Sequence, residues 1–125
     1  MILVDTSVWV DHLRAGDAQL ADLLKRAQVA MHPFVVGEIA CGSLADRSLV
    51  LELLQTLPAA SVAESEEVLG FVERHELHGI GIGYVDVHLL ASVALTEGGK
   101  LWTRDKRLRV AAEALGCALQ DATAH

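Results

Sequence analysis

Short apolar runs alternate along the chain with longer segments whose apolar residues recur every three or four positions. The short runs predict strands at 2–4, 29–31, 62–63, 100–103 and 117–119. The helical spacing predicts helices over 7–14, 18–28, 34–42, 46–54, 64–77, 87–96 and 106–115. Strands that alternate with helices indicate the α/β class, with a mostly parallel central sheet flanked by helices.

Length and composition restrict the class of protein further. The chain has 125 residues, of which 52% are hydrophobic, and this predicts a single domain over 1–121 with a frayed polar tail at 122–125. Its apolar runs are all shorter than the ~18 residues that a membrane span needs. Asp5 interrupts the N-terminus before the apolar region of a signal peptide could form. We therefore expect a cytoplasmic protein with no membrane partner.

Four acidic residues occupy positions that surface roles do not explain together. Asp5 directly follows the strand 2–4, and Asp105 follows the strand that ends at Thr103. Asp86 opens a helix, where an acid is often only a cap. Glu38 is the single acid of an otherwise apolar helix, so we expect it to be buried and either paired or bound to a metal. Because the carboxyl ends of parallel strands share one edge of a sheet, we expect the four acids to converge there.

Converging carboxylates repel one another, and divalent cations relieve that repulsion. Oxygen ligands suit Mg²⁺ or Mn²⁺, whereas Cys41 and Cys117 lack the spacing of a zinc site. Two such ions roughly 3.5–4 Å apart can support in-line attack of an activated water on phosphorus. The acids therefore point to metal-dependent phosphoryl chemistry.

The charge distribution qualifies the net charge of −7, which by itself argues against a polyanionic partner. Half of the ten basic residues fall in one ten-residue window, namely Lys100, Arg104, Lys106, Arg107 and Arg109. This window is either a solvated helix face or a patch that contacts phosphates beside the acidic site.

Four segments together resemble PIN-domain proteins, and most closely the VapC-type toxins of bacterial toxin–antitoxin pairs. They are ILVDTS, GEIACG around Glu38, GIGYVDVHLLASV around Asp86 and LWTRDKRL around Asp105. The resemblance spans nearly the whole chain. It implies a PIN-like three-layer sandwich and a Mg²⁺- or Mn²⁺-dependent endoribonuclease. The catalytic and metal-binding acids that it implies are Asp5, Glu38, Asp86 and Asp105.

The resemblance also implies lesser roles and partners. Thr6, Ser7 and Thr103 match polar positions next to the acids and are assigned only support, such as a hydrogen bond from Thr103 to a ligating carboxylate or to water. The charge distribution, and not the resemblance, predicts that the basic window holds RNA phosphates through Arg104, Lys106 and Arg107. The implied partners are an RNA substrate, a cognate antitoxin that covers or enters the acidic site, and a second copy of the chain in a homodimer.

Three alternatives remain open. PIN domains also serve in RNA maturation and decay, so the protein could be a processing nuclease that is not a toxin. A receiver-like regulatory domain would need a phosphoacceptor Asp after a middle strand, and none is predicted. A non-catalytic module could use the acidic rim to dock a basic partner, but this gives no reason to bury Glu38.

Overall fold

The computed structural model describes residues 1–122, so the tail predicted to be frayed lies outside the described residues except for Ala122. This part of the chain forms three strands, β1 (Ile2–Val4), β2 (Val29–Ala30) and β3 (Lys100–Trp102). Seven helices accompany them within the same residues: α1 (Thr6–Ala15), α2 (Ala18–Lys25), α3 (Pro33–Ala40), α4 (Arg47–Leu54), α5 (Ser65–His75), α6 (Tyr84–Ala94) and α7 (Lys106–Ala114).

The three strands form one parallel sheet in the order β2-β1-β3. Leu3 lies in register with Ala30 on one side and Leu101 on the other, so β1 is the central strand. Leu3 and Val4 are buried, as expected for a strand covered on both faces. The predicted α/β class, with a parallel sheet flanked by helices, is confirmed.

Two predicted strands are reduced to single bridges or displaced. Ala118 makes only an isolated parallel bridge to Leu101. The strand predicted at 62–63 is wrong, because the pairing occurs earlier, between Met31 and Ala59. The Met31 N–H donates to the Pro58 carbonyl at 2.8 Å, and the Ala60 N–H donates to the Met31 carbonyl at 2.9 Å. Val62 lies outside this pairing and is exposed.

Helix α6 is the most deeply buried helix among the described residues, since every residue from 87 to 93 is buried. It packs against α5 and β3. The helix begins at Tyr84, not at 87 as predicted, so Asp86 lies within its first turn and is not the residue before it. Likewise α1 begins at Thr6, with Asp5 preceding it in place of the predicted Ser7. Asp5 therefore precedes α1 and Asp86 lies in the first turn of α6, so both acids are at helix starts.

None of the helices within residues 1–122 combines the length and the apolar character required to cross a membrane.

Candidate active site

Asp5 lies at the carboxyl end of the central strand and is only 6% exposed. Its Oδ2 accepts hydrogen bonds from Ser7 Oγ at 2.7 Å and from Thr103 Oγ1 at 2.7 Å. Its backbone N–H donates to the Trp102 carbonyl at 2.8 Å and so continues the pairing of β1 with β3. The hydrogen bond predicted for Thr103 is therefore present, and the carboxylate is held from α1 and from the end of β3.

Asp105 immediately precedes α7. It follows β3, the strand that pairs with β1, and Asp5 follows β1. Its Oδ1 accepts from the Leu108 N–H at 3.0 Å, which caps the helix, and its own N–H donates to Thr103 Oγ1 at 3.0 Å. Thr103 thus contacts two of the four acids at once. The segment that follows β3 is fastened to the segment that follows β1.

Glu38 departs from its predicted environment. The helix that carries it, α3, buries only Val35 and Ile39 completely, and Glu38 itself is exposed. The expectation of a buried Glu38 is therefore wrong, because α3 packs along one face and is not enclosed. Its Oε1 accepts from Thr6 Oγ1 at 2.7 Å, so this carboxylate is nevertheless fastened to the start of α1, next to Asp5.

The electrostatics of Asp86 show that the four acids share one neighbourhood. Burial raises the pKa of the Asp86 carboxyl, and the negative charges of Asp5, Asp105 and Glu38 raise it further. The hydrogen bond from the Gly83 N–H to Asp86 Oδ2, 3.1 Å long, acts in the opposite direction. The structure therefore brings together the acids that the sequence predicted to converge.

The donor set of this acidic cluster, defined as Asp5, Glu38, Asp86 and Asp105, suits a hard divalent cation. Among the hydrogen bonds within residues 1–122, each carboxylate uses one oxygen, namely Oδ2 of Asp5, Oε1 of Glu38, Oδ2 of Asp86 and Oδ1 of Asp105. The second oxygen of each makes no such bond in that part of the chain. In the described residues, however, no three His, Cys, Asp or Glu side chains are already grouped closely enough to hold an ion. The chemistry of these carboxylates nevertheless fits Mg²⁺ or Mn²⁺.

Arg104 contradicts the phosphate contact predicted for it. Its Nη1 pairs with Asp11 at 2.7 Å, its Nη2 with Asp17 at 2.5 Å and its Nε with Asp121 at 2.7 Å. The side chain is only 21% exposed. Three carboxylates therefore occupy the guanidinium group that was expected to hold RNA. The sequence offered no signal for these partners, which lie 93, 87 and 17 residues away along the chain.

Lys106 and Arg107 are exposed at the start of α7, so a phosphate contact by these two residues stays a prediction. The Arg107 side chain lies over the backbone of Gly81, in the loop that leads to Asp86. A Cβ atom added at Gly81 would fall 2.5 Å from Arg107 Nη1. Glycine at this position, with a φ of +83°, therefore permits both the turn and the approach of the guanidinium.

Comparison with known proteins identifies the family to which this chain belongs. Residues 2–114 match the model of the PIN domain. Two relatives, both called Ribonuclease VapC32 and found in Mycobacterium tuberculosis strains CDC 1551 and H37Rv, are 51% identical over 121 residues, which cover 97% of this chain and 98% of each relative. The chain also resembles a solved structure of FitAB bound to the IR36 DNA fragment, with a TM-score of 0.62 and 18% identity over 90% of this chain and 91% of that chain. At that identity the likeness supports the fold alone. The chain belongs to the PIN-domain family and, within it, to the VapC group.

Proposed function

We propose that the protein is a divalent-metal-dependent endoribonuclease that acts as the toxin of a toxin–antitoxin pair. The observation that carries the proposal is the meeting of four carboxylates at Asp86, whose pKa is raised by burial and by the other three acids. Neighbouring carboxylates repel one another, and a bound cation would relieve that repulsion. The name Ribonuclease VapC32, carried by relatives that are 51% identical to this chain, supports RNA as the substrate.

We assign two roles to the four acids, which are to bind the metal ion and to orient the reactants. When bound, Mg²⁺ or Mn²⁺ supplies an activated water for in-line attack on phosphorus and charge stabilisation for the leaving oxygen. Asp5 is the most rigidly held acid, because Ser7 and Thr103 both donate to its Oδ2. Thr6 orients Glu38 in the same way. These hydroxyls fix the direction of the carboxylates, as ligand-supporting groups in metal sites usually do.

The proposed partners follow from charge and exposure. Lys106 and Arg107, exposed at the start of α7, would hold the phosphates that flank the cut bond. Apolar side chains that are about half exposed lie on α1 and α4, at Val10, Leu49 and Leu53. The VapC name of the relatives supports a cognate antitoxin as a partner in the cytoplasm, and we assign these exposed side chains to contacts with that antitoxin or with a second copy of the chain in a homodimer.

Two alternative functions predict different behaviour of the protein. A PIN nuclease of RNA maturation would cut the same bonds without arresting growth when produced alone. A non-catalytic module would bind a basic partner through the acidic cluster and leave RNA intact. Membership of the PIN family removes the receiver-like alternative.

The test is cleavage of structured cellular RNA by the purified protein with Mg²⁺, with Mn²⁺ and with a chelator. Asp86→Asn is compared with Glu113→Gln, which removes an exposed acid of α7 that lies in an ion pair with Arg109. We expect metal-dependent cutting by the wild type and by Glu113→Gln, and none by Asp86→Asn. Equal cutting by Asp86→Asn would refute the site. Absence of cutting by a wild type free of co-purified protein would favour the binding module.

A further inference from the structure

We propose that Arg104 is a positioning residue of the acidic cluster, which clamps the turn 103–105 against α1, the start of α2 and the segment that follows α7. This inference rests on the function proposed above. It replaces the role of phosphate contact that the sequence suggested for this side chain.

The clamp joins parts of the chain that are distant in sequence. Asp11 belongs to α1, Asp17 precedes α2, and Asp121 belongs to the segment after α7. One guanidinium group donates to all three, each through a different nitrogen. Asp17 also accepts from the Leu20 N–H at 2.9 Å, so its position is set by the helix that it caps. The three donor nitrogens of Arg104 are thereby bound to three segments of the chain that are distant in sequence.

The backbone of Arg104 lies inside the hydrogen-bond network of the acidic cluster. Its N–H donates to Ser7 Oγ at 3.0 Å, and Ser7 Oγ in turn donates to Asp5 Oδ2. The residue before it, Thr103, donates to the same oxygen of Asp5, and the residue after it is Asp105. A shift of the Arg104 backbone would therefore disturb Asp5 and Asp105 together.

Two of the three carboxylates that Arg104 binds are largely buried. The side chains of Asp17 and Asp121 are only 9% and 4% exposed, and burying a carboxylate is costly unless it is paired and hydrogen-bonded, as both are to Arg104. Asp121 also accepts from the indole N–H of Trp102, a fully buried residue of β3. The guanidinium is thus tied to the core as well as to the surface.

Positioning and phosphate contact predict different kinetics. A residue that holds phosphates contributes to substrate binding, so its loss raises KM and weakens the salt dependence. A residue that holds the carboxylates acts on the ion and on kcat, whether or not RNA is present. Lysine keeps the charge but cannot reproduce the planar fork that reaches three carboxylates in different directions.

The experiment measures Mn²⁺ affinity by titration calorimetry without RNA, and kcat and KM for RNA cleavage, on Arg104→Lys and Arg104→Met. We expect Mn²⁺ binding to weaken about ten-fold or more, and kcat to fall by a similar factor, as for other groups that support metal ligands. KM for RNA should stay within about two-fold of the wild type, since no phosphate contact is lost.

Two controls separate positioning from charge and from stability. Arg109→Met removes a cation of α7, the helix that follows the turn 103–105, and among residues 1–122 this cation forms a 3.6 Å ion pair with Glu113 alone. Val68→Ala destabilises the protein at a fully buried residue of α5, a helix that carries none of the four acids. Both should retain the wild-type Mn²⁺ affinity. Should Arg104→Met fail to fold, Asp11→Asn is compared instead, because Asp11 is the most exposed of the three partners at 39%, and it should weaken Mn²⁺ binding in the same direction.

The outcomes are distinguishable. A raised KM with unchanged Mn²⁺ affinity would overturn the proposal in favour of phosphate contact. Loss of Mn²⁺ affinity in Val68→Ala to the same degree as in Arg104→Lys would overturn it in favour of a purely stabilising role. A wild type that binds Mn²⁺ without cutting RNA would refute the proposed function, while weaker binding by Arg104→Lys would still support positioning.

Discussion

Replacing Thr103 with valine keeps the volume of the side chain and removes the hydroxyl that joins two of the four acids. Thr103 is 3% exposed, and its Oγ1 donates to Asp5 at 2.7 Å and accepts from the Asp105 N–H at 3.0 Å. A hydrogen bond to a charged group contributes about 1.5–3 kcal/mol to stability. Asp105 is exposed, so water can replace the second bond. We expect the free energy of unfolding to fall by about 2 kcal/mol, which is roughly 7 °C in Tm for a domain of this size.

The assay is thermal and urea unfolding of Thr103→Val in chelator, followed by Mn²⁺ titration of the folded protein. Asp5 loses one of its two hydroxyl donors, so Mn²⁺ affinity should fall about ten-fold. Thr103→Ser is the matched control, because it retains the hydroxyl and loses only a methyl group. If the valine variant bound Mn²⁺ as tightly as the serine variant, the reasoning that Thr103 orients Asp5 would be refuted.

Three further predictions concern the remaining parts of the site and its supports. Asp5→Asn should abolish RNA cleavage, because it removes a carboxylate that we propose as a metal ligand; cleavage retained by this variant would count against the site. His32 is fully buried, and burial, with a smaller effect of His88, lowers its pKa from 6.5 to about 4. The unfolded chain takes up this proton near pH 6.5 and the native protein does not, so stability should fall by up to about 3 kcal/mol between pH 6.5 and 4. His32→Asn should flatten that part of the curve in urea unfolding, and an unchanged slope would show that His32 is not the group responsible. Arg107→Glu should raise KM for RNA and lower its salt dependence without changing Mn²⁺ affinity; an unchanged salt slope would identify a solvated helix face.

The sheet and three of the acids could be predicted because each rests on a local pattern. An apolar run that ends in an acid is visible in the sequence at Asp5 and at Asp105, and parallel pairing places both on one edge of the sheet. Asp86 was predicted at a helix start, and its helix begins two residues earlier than the acid. The apolar periodicity of this helix could not reveal that start, because Tyr84 and Val85 extend it without changing its pattern.

The errors arose where the environment depends on packing between distant segments. The composition of α3 suggested an enclosed helix around Glu38, but only one face of that helix meets the core. Arg104 is assigned to phosphate contact from its place in the basic window, because nothing in the local sequence connects it with Asp11, Asp17 or Asp121, which lie 93, 87 and 17 residues away. Local sequence shows which residues carry charge, and only the tertiary fold shows which charges neutralise one another.

The central claim is that four carboxylates form one site for a divalent cation, and the pKa of Asp86 reports on it directly. A carbon-detected NMR titration of the Asp86 carboxyl should give a raised pKa without metal, a lower one in Glu38→Gln, and a pKa below the ordinary value with saturating Mg²⁺. A pKa of Asp86 that responded neither to Glu38→Gln nor to Mg²⁺ would contradict the account.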